Sequence, residues 1–503
     1  MLARRPSRLR VFTRQDAIRL TVATVLLVLG MTAVLSVDLL PAGGATARPD
    51  LAEILGWLVL SSLLVGSLLA WVWRFRPELW HRTRPLVLLA VLLLAAAFAL
   101  RVTASRSLLP YLLPIAAIPL LLTVLLDAGV GLVVSAMLAV LAAAVVGTPA
   151  LGAYVLLGSL AGIIVIRRGE RWVHFGQAAV AIAAADLAVV IAFALLTHGS
   201  LTGTIQLMGA SVAAAAGSAV AAAGTFLLLG SLFGITTSFQ LLELGNPSQP
   251  LLRRLLLETP GTYHHSLMVG NLAERAAEVV GADPLLTRVA AYYHDVGKLA
   301  NPAAYIENQA GGANLHDDLS PEQSAALLAA HVAAGIDIAH EAGLPTPIIA
   351  FIPQHHGTAL MSYFYAKAKD EAIAAAGAVP GTPAAEAAAA TVDARRFRHA
   401  GPKPQSREAA ILMLSDSVEA SVRSLGDPDE AAIRAMVRRI IDERLDDGQL
   451  DECDLTLRDL DRVREAFVAQ LLGMYHRRIA YPQNKIVELE SRRPASDGTG
   501  RAS

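Results

Sequence analysis

From residue 17 to about 235 the chain alternates long apolar runs with short polar breaks. A membrane-crossing helix needs about 20 mostly apolar residues. Eight runs meet or approach that length: 17–38, 52–73, 86–105, 108–126, 128–148, 150–166, 174–197 and 203–235. The pattern predicts eight crossings. Region 108–166 is the weakest part, because two runs are short and Pro110, Pro114 and Pro119 interrupt the first. The first run is too long for a cleaved signal segment and reads as an anchor. Beyond Leu251 the pattern changes to charged, histidine-bearing segments with helix caps and turns and little strand-like alternation. The expected fold class is therefore all-α: a polytopic membrane helix bundle followed by an all-helical soluble domain.

Lysine and arginine in short loops set orientation. Arg4, Arg5, Arg8, Arg10 and Arg14 precede the first run. Arg74, Arg76, Arg82 and Arg84 follow the second, and Arg167, Arg168 and Arg171 follow the sixth. With eight crossings these segments share one side with the soluble half, which the rule places in the cytoplasm. The expected division is a cytoplasmic N-terminus (1–16), a membrane region (17–235), a helical linker (236–257), a soluble domain (258–485) and a disordered tail (486–503). An alanine-rich surface insertion at 366–394 is read as partly helical and free of catalytic content.

Composition agrees: 54% of residues are hydrophobic and 17% charged, an excess of apolar residues over soluble chains. A net charge of −1 suggests no bulk attraction to DNA or RNA. One cysteine, Cys453, excludes an intrachain disulfide or a thiolate metal cluster. Asp186 lies inside the apolar stretch AAVAIAAADLAVV. An intramembrane carboxylate is a functional candidate by default, but one standing alone reads as bonded to a neighbouring helix or near a wet cavity. The small-residue run at 210–224 reads as close helix packing.

In the soluble half, helices are expected from Tyr263 to Val280, from Pro284 to about Lys298, and from the Ser320 cap to near Gly335. Eight of the thirteen histidines fall between 264 and 356. His264-His265, His294-Asp295, His331, His355-His356 and the later Asp416 supply imidazole nitrogen and carboxylate oxygen, which suit iron, manganese or zinc. A two-metal site needs a bridging carboxylate, and Asp295 is the natural bridge. Neighbours on a helix point about 100° apart, so only one of His264 and His265 serves. A structural zinc site closes four ligands, often with cysteine, so this set argues for catalysis.

The stretches ETPGTYHHSLMVGNLAE (258–274), AYYHDVGK (291–298), ENQ (307–309), HDDLSP (316–321), QHHGT (354–358), SYFYAKA (362–368), HAGPKPQS (399–406), SDSVEASVRSL (415–425) and DERLDDGQLDECDLTLRDL (442–460) carry a resemblance. Together with H…HD…D they resemble the HD metal-dependent phosphohydrolases, and within them the seven-transmembrane HD family of PgpH-type cyclic-di-AMP phosphodiesterases. The resemblance is close over about 235–485 and architectural before that. It implies two divalent metals, Mn or Fe. One would be held by His265, His294, Asp295 and Asp416, the other by Asp295, His331, His355 and His356. It implies cytoplasmic hydrolysis of cyclic di-AMP to pApA by metal-activated water.

His294, Asp295 and Lys298 are the catalytic candidates. Lys298, Tyr363, Tyr365 and Arg423 are candidates for substrate contact, against bland readings as a helix-end lysine, core aromatics and a surface ion pair. The chain departs from the family at 39–51, where many members carry a large extracytoplasmic domain. The alternatives are hydrolysis of another nucleotide such as cyclic di-GMP, or a nucleotide-binding receptor without turnover. QHHGTAL lacks the Gly-Tyr-Pro element usual in the cyclic-di-GMP subclass. The lipid bilayer and a cyclic dinucleotide are the expected partners, and a homodimer is compatible with the sequence.

Overall fold

Where apolar residues run on for 18 or more positions, the backbone can satisfy its own polar groups only as helix. The computed structural model describes residues 14–37, 50–80, 83–166, 171–309 and 314–475. Seven of its helices are long and apolar enough to cross a membrane: Ala17–Ser36, Leu51–Phe75, Thr83–Thr103, Ala128–Val146, Pro149–Ile166, Trp172–Leu196 and Leu201–Leu232. The expected eighth, 108–126, is not a continuous helix. It is split into Leu109–Leu112 and Ala117–Leu125. Leu113, the residue before Pro114, is extended at φ −65° and ψ 130°, as proline imposes on its predecessor.

The broken segment nevertheless carries the chain from one end of the bundle to the other. At one end, Arg101 Nε donates to the Val37 carbonyl at 3.1 Å and pairs with Glu53 at 3.5 Å. At the opposite end, Arg76 pairs with Asp127 at 2.5 Å. Asp127 also caps Ala128–Val146, accepting from the Gly129 and Val130 amides. Thr83–Thr103 leads to the first end, and 109–125 returns to the second. The last long helix finishes at this second end, where a Cβ on Gly234 would lie 2.6 Å from Arg84 Nη1. Trp172 packs there against Phe226 and Phe239. The chain therefore makes eight passes through the bundle, seven as long helices and one as a broken pair. Arg4, Arg5, Arg8, Arg10, Arg82, Arg167, Arg168, the loop after the first helix and the tail lie outside the described residues.

The half after the last long helix is built of helices and loops, with no strand among the described residues. Its core is built from Pro260–Val280, Pro284–Tyr293, Arg407–Arg423, Glu430–Asp446 and Leu457–Met474, which bury Leu272, Ala276, Val418, Val463 and Phe467 completely or nearly so. Gly281 ends the first of these at φ +71°, a left-handed position that glycine adopts without penalty. The Ser320–Gln323 capping box forms as the sequence predicts.

Two expected helix ends are corrected. The helix from Pro284 stops at Tyr293, and Val296–Ala300 continues as a 3₁₀ turn, so Lys298 does not share a helix with His294. The helix after Ser320 does not end near Gly335 but runs to Glu341. Gly335 lies within it because Gly297 packs against that point: a Cβ on Gly297 would fall 1.8 Å from the His331 carbonyl oxygen and 2.5 Å from Gly335 N. The alanine-rich insertion, 366–394, continues the helix Ser362–Ala375 and contains the helix Pro383–Ala390. Its Ala368 packs with the flanking Phe364 and Phe397 and with Ala325 of the domain.

Candidate metal centre

Six elements converge on one point. His265 projects from Pro260–Val280. His294 and Asp295 occupy the joint between the Pro284–Tyr293 helix and its 3₁₀ continuation. His331 comes from Pro321–Glu341. His355 and His356 follow the short Phe351–Gln354 helix, and Asp416 lies on Arg407–Arg423. One ligand-capable atom from each of Asp295, His331, His355 and His356 lies within 4.8 Å of the others, and the same holds for His265, His294 and Asp416. All are buried except the half-buried His356. His264 is exposed, so His265 is the member of that pair that faces the cluster.

Asp295 joins the two groups. Its Oδ2 lies 3.7 Å from His265 Nε2 and 3.3 Å from His294 Nε2. Its Oδ1 lies 3.4 Å from His331 Nε2 and 3.6 Å from His355 Nε2. Asp416 presents Oδ1 to His265 at 3.0 Å and to His294 at 3.6 Å, and Oδ2 to His356 Nδ1 at 3.8 Å.

The tautomers follow from the hydrogen bonds behind the cluster. Nδ1 of His294 lies 2.7 Å from the Ala291 carbonyl, that of His331 2.6 Å from Leu328, and that of His355 2.6 Å from Ile352. A carbonyl can only accept, so each neutral ring keeps its proton on Nδ1 and turns a lone pair inward from Nε2. Nε2 of His331 and of His355 are then 3.4 Å apart with lone pairs facing. His294 Nε2 and Asp295 Oδ1 are buried without any hydrogen-bond partner. Facing lone pairs and orphaned acceptors are unfavourable unless a cation lies between them. The donor set therefore fits divalent metal at both groups.

Electrostatics agree. Burial would raise the Asp295 and Asp416 carboxyls, but His294 and Lys298 outweigh it at Asp295, and His265 and His294 at Asp416. Both are held well below the ordinary range. Burial would lower His294, but Asp295 and Asp416 outweigh it and push it up to about 10. His355 is driven down to about 3, first by burial and then by His294.

Lys298, half-buried, lies between two carboxylates, with Nζ 2.8 Å from Asp295 Oδ2 and 2.7 Å from Glu307 Oε1. Burial would lower it, but these two partners outweigh it and hold the ammonium charged. It braces the bridging carboxylate rather than facing a helix dipole. Arg423 is 43% exposed and pairs with Glu419 at 3.5 Å. Beside it a cavity of about 260 Å³ runs past His264, His265, Met268 and Tyr475. Tyr363 is 72% exposed. Tyr365 packs against Phe397 and carries Lys369 over its ring at 4.3 Å, so its contacts are those of helix packing. His316 bonds the Ala304 carbonyl and orders that loop. His399 stacks on His356, with centroids 4.2 Å apart.

Two participants escaped the sequence reading. Glu419 Oε2 lies 2.5 Å from His265 Nδ1, and Glu307 holds Lys298. Glu419 stands three residues after Asp416 on the same helix, a spacing that puts both on one face; that spacing was the available signal. Glu307 had none beyond its place in ENQ.

Two family profiles match this chain: "7TM receptor with intracellular HD hydrolase" over residues 51–237 and "HD domain" over 262–421. The chain is 35% identical over 446 residues to the cyclic-di-AMP phosphodiesterase PgpH of Bacillus subtilis (strain 168), covering 86% of this chain and 60% of that protein. It is 36% identical over 380 residues to the PgpH of Listeria monocytogenes serotype 1/2a, covering 75% of this chain and 51% of that protein. It thus spans between about half and three-fifths of the length of these relatives. Among solved structures, the HD domain of L. monocytogenes PgpH, free and in complex with cyclic-di-AMP, is 44% identical. It covers 46% of this chain and 100% of that chain, with a TM-score of 0.41. Fold and site together define a multi-pass membrane protein with an HD domain. The chain belongs to the seven-transmembrane HD family.

Proposed function

We propose that this protein is a membrane-anchored phosphodiesterase that opens cyclic di-AMP to pApA on the cytoplasmic side of a bacterial membrane. The observation that carries the reading is Asp295 offering one oxygen to each of two buried nitrogen-rich groups. His265, His294, Asp295 and Asp416 would hold one divalent metal, and Asp295, His331, His355 and His356 the other, manganese or iron by their mixed imidazole and carboxylate donors. When bound, such a pair supplies Lewis-acid polarisation of the scissile phosphate and activation of water.

The protein's own groups do the rest. Backbone carbonyls fix the Nε2 atoms of His294, His331 and His355 inward, and Glu419 fixes His265. Lys298 keeps Asp295 ionised. Arg423, at the mouth of the adjoining cavity, is the cation placed to meet a phosphate, and Tyr363 offers an exposed stacking face for a base. The dinucleotide class rests on the PgpH relatives. The side rests on Arg76, Arg84 and Arg171, which sit at the end of the bundle where the HD domain begins.

The test uses the full chain in detergent, loaded anaerobically with Mn²⁺ or Fe²⁺ and offered cyclic di-AMP and cyclic di-GMP side by side. Selective formation of pApA is expected. Equal or reversed preference would overturn the substrate, and bound metal without turnover of either would make the protein a nucleotide receptor.

A further inference from the structure

Asp186 is 3% exposed within Trp172–Leu196, and its Oδ1 has no hydrogen-bond partner. Oδ1 faces the backbone of the neighbouring helix, where a Cβ on Gly158 would lie 2.2 Å away. One residue on, the fully buried Ser159 also has an unpartnered hydroxyl. Ser36 and Ser61 share that state elsewhere in the bundle, whereas most of its other hydroxyls are paired. Thr32, Thr123, Ser211 and Thr225 each donate to the carbonyl four residues earlier.

These groups line a cavity of about 10 Å³ with Tyr154, Ser218 and the break in the 109–125 segment at Leu113, Ile115 and Ala116. That is room for a single water-sized particle. The break matters chemically. In a continuous helix the Tyr111 carbonyl would receive the Ile115 amide, but that amide turns to Leu113 instead. The freed Tyr111 carbonyl accepts the Tyr154 hydroxyl at 3.1 Å. A hydroxyl has one proton to donate. The neighbouring Asp186 carboxyl is a second acceptor within reach of the same hydroxyl, so two acceptors compete for that one proton. Oxygens of Asp186, Ser159 and Tyr154, carried by two neighbouring helices, thus converge on one small space inside an apolar bundle.

We propose that the membrane half binds one dehydrated alkali cation at this point, held by Asp186, Ser159 and Tyr154. A monovalent ion neutralises the single carboxylate, whereas a divalent ion would leave net charge in the bilayer, which is costly. The site stands where a helix is interrupted, the arrangement that opens polar groups at the middle of a membrane. It is separate from the histidine cluster and independent of its chemistry.

The test is thermal unfolding of the full chain in detergent, titrated with NaCl or KCl against choline chloride at constant ionic strength. Tryptophan emission follows the membrane half alone, because all five tryptophans, Trp57, Trp71, Trp73, Trp80 and Trp172, lie there. The expected result is a saturable rise in Tm of about 3 °C or more with one alkali ion over choline. Asp186→Asn, nearly the same shape, should abolish it, and Ser159→Ala should raise the half-saturating concentration at least several-fold. The same Tm in all three salts would overturn the proposal, with the cavity holding only water. So would an equal salt response in wild type and Asp186→Asn. If Asp186→Asn does not yield folded protein, an unchanged half-saturation in Ser159→Ala overturns it.

Discussion

Glu419 Oε2 lies 2.5 Å from Nδ1 of His265, although 154 residues separate them in sequence. That carboxylate sets the tautomer and direction of the imidazole, leaving Nε2 toward Asp416. Carboxylate partners behind metal-binding histidines are worth about 10–100-fold in metal affinity. Glu419→Gln should therefore raise the half-saturating Mn²⁺ for activity by about tenfold, with a smaller loss of rate at saturating metal. A pure loss of rate with unchanged metal dependence would contradict this role.

Lys298 bridges Asp295 and Glu307 with little exposure to solvent. Removing one partner of a buried pair typically costs about 3–5 kcal/mol, because the other charge is stranded. Lys298→Met should destabilise the HD domain by about 3 kcal/mol in denaturant unfolding. Adding Glu307→Gln should cost less than the sum of the two single changes. Strict additivity would mean that the pair is not coupled.

Gly297 has no room for a side chain: its Cβ would meet the His331 carbonyl and Gly335. Gly297→Ala must push the 3₁₀ turn away from Pro321–Glu341, separating His294 and Asp295 from His331. Overpacking of this kind costs about 1–3 kcal/mol. Calorimetry of bound metal should show weakened binding along with the lowered Tm. An unperturbed metal stoichiometry and affinity would show that the two elements can part without opening the site.

Eight passes place the 197–200 loop and the linker at opposite ends of the bundle. In a Cys453→Ser background, Gly199→Cys should react with a membrane-impermeant maleimide on intact cells, and Ser248→Cys only after lysis. The reverse pattern would put the HD domain outside.

Much of this molecule is written locally. Apolar runs specify buried helices because a backbone in lipid has no other way to satisfy its polar groups. Ser320-Pro321-Glu322-Gln323 specifies a helix start because its cap is made within four residues. His294-Asp295 and His355-His356 mark metal chemistry by side-chain type alone. What tertiary structure decided is how distant groups meet. The two oxygens of Asp295 face different histidine sets only because the helix stops at Tyr293 and turns, and Gly297 against Gly335 closes that turn. Glu419 behind His265, Glu307 on Lys298 and the acceptors around Asp186 are invisible to periodicity, since each pairing joins separate segments. The prolines of the 108–126 run announced an interruption. Only the Arg76–Asp127 pair showed that the broken segment still completes its passage, because the end at which a short segment finishes is set by its partners and not by its length.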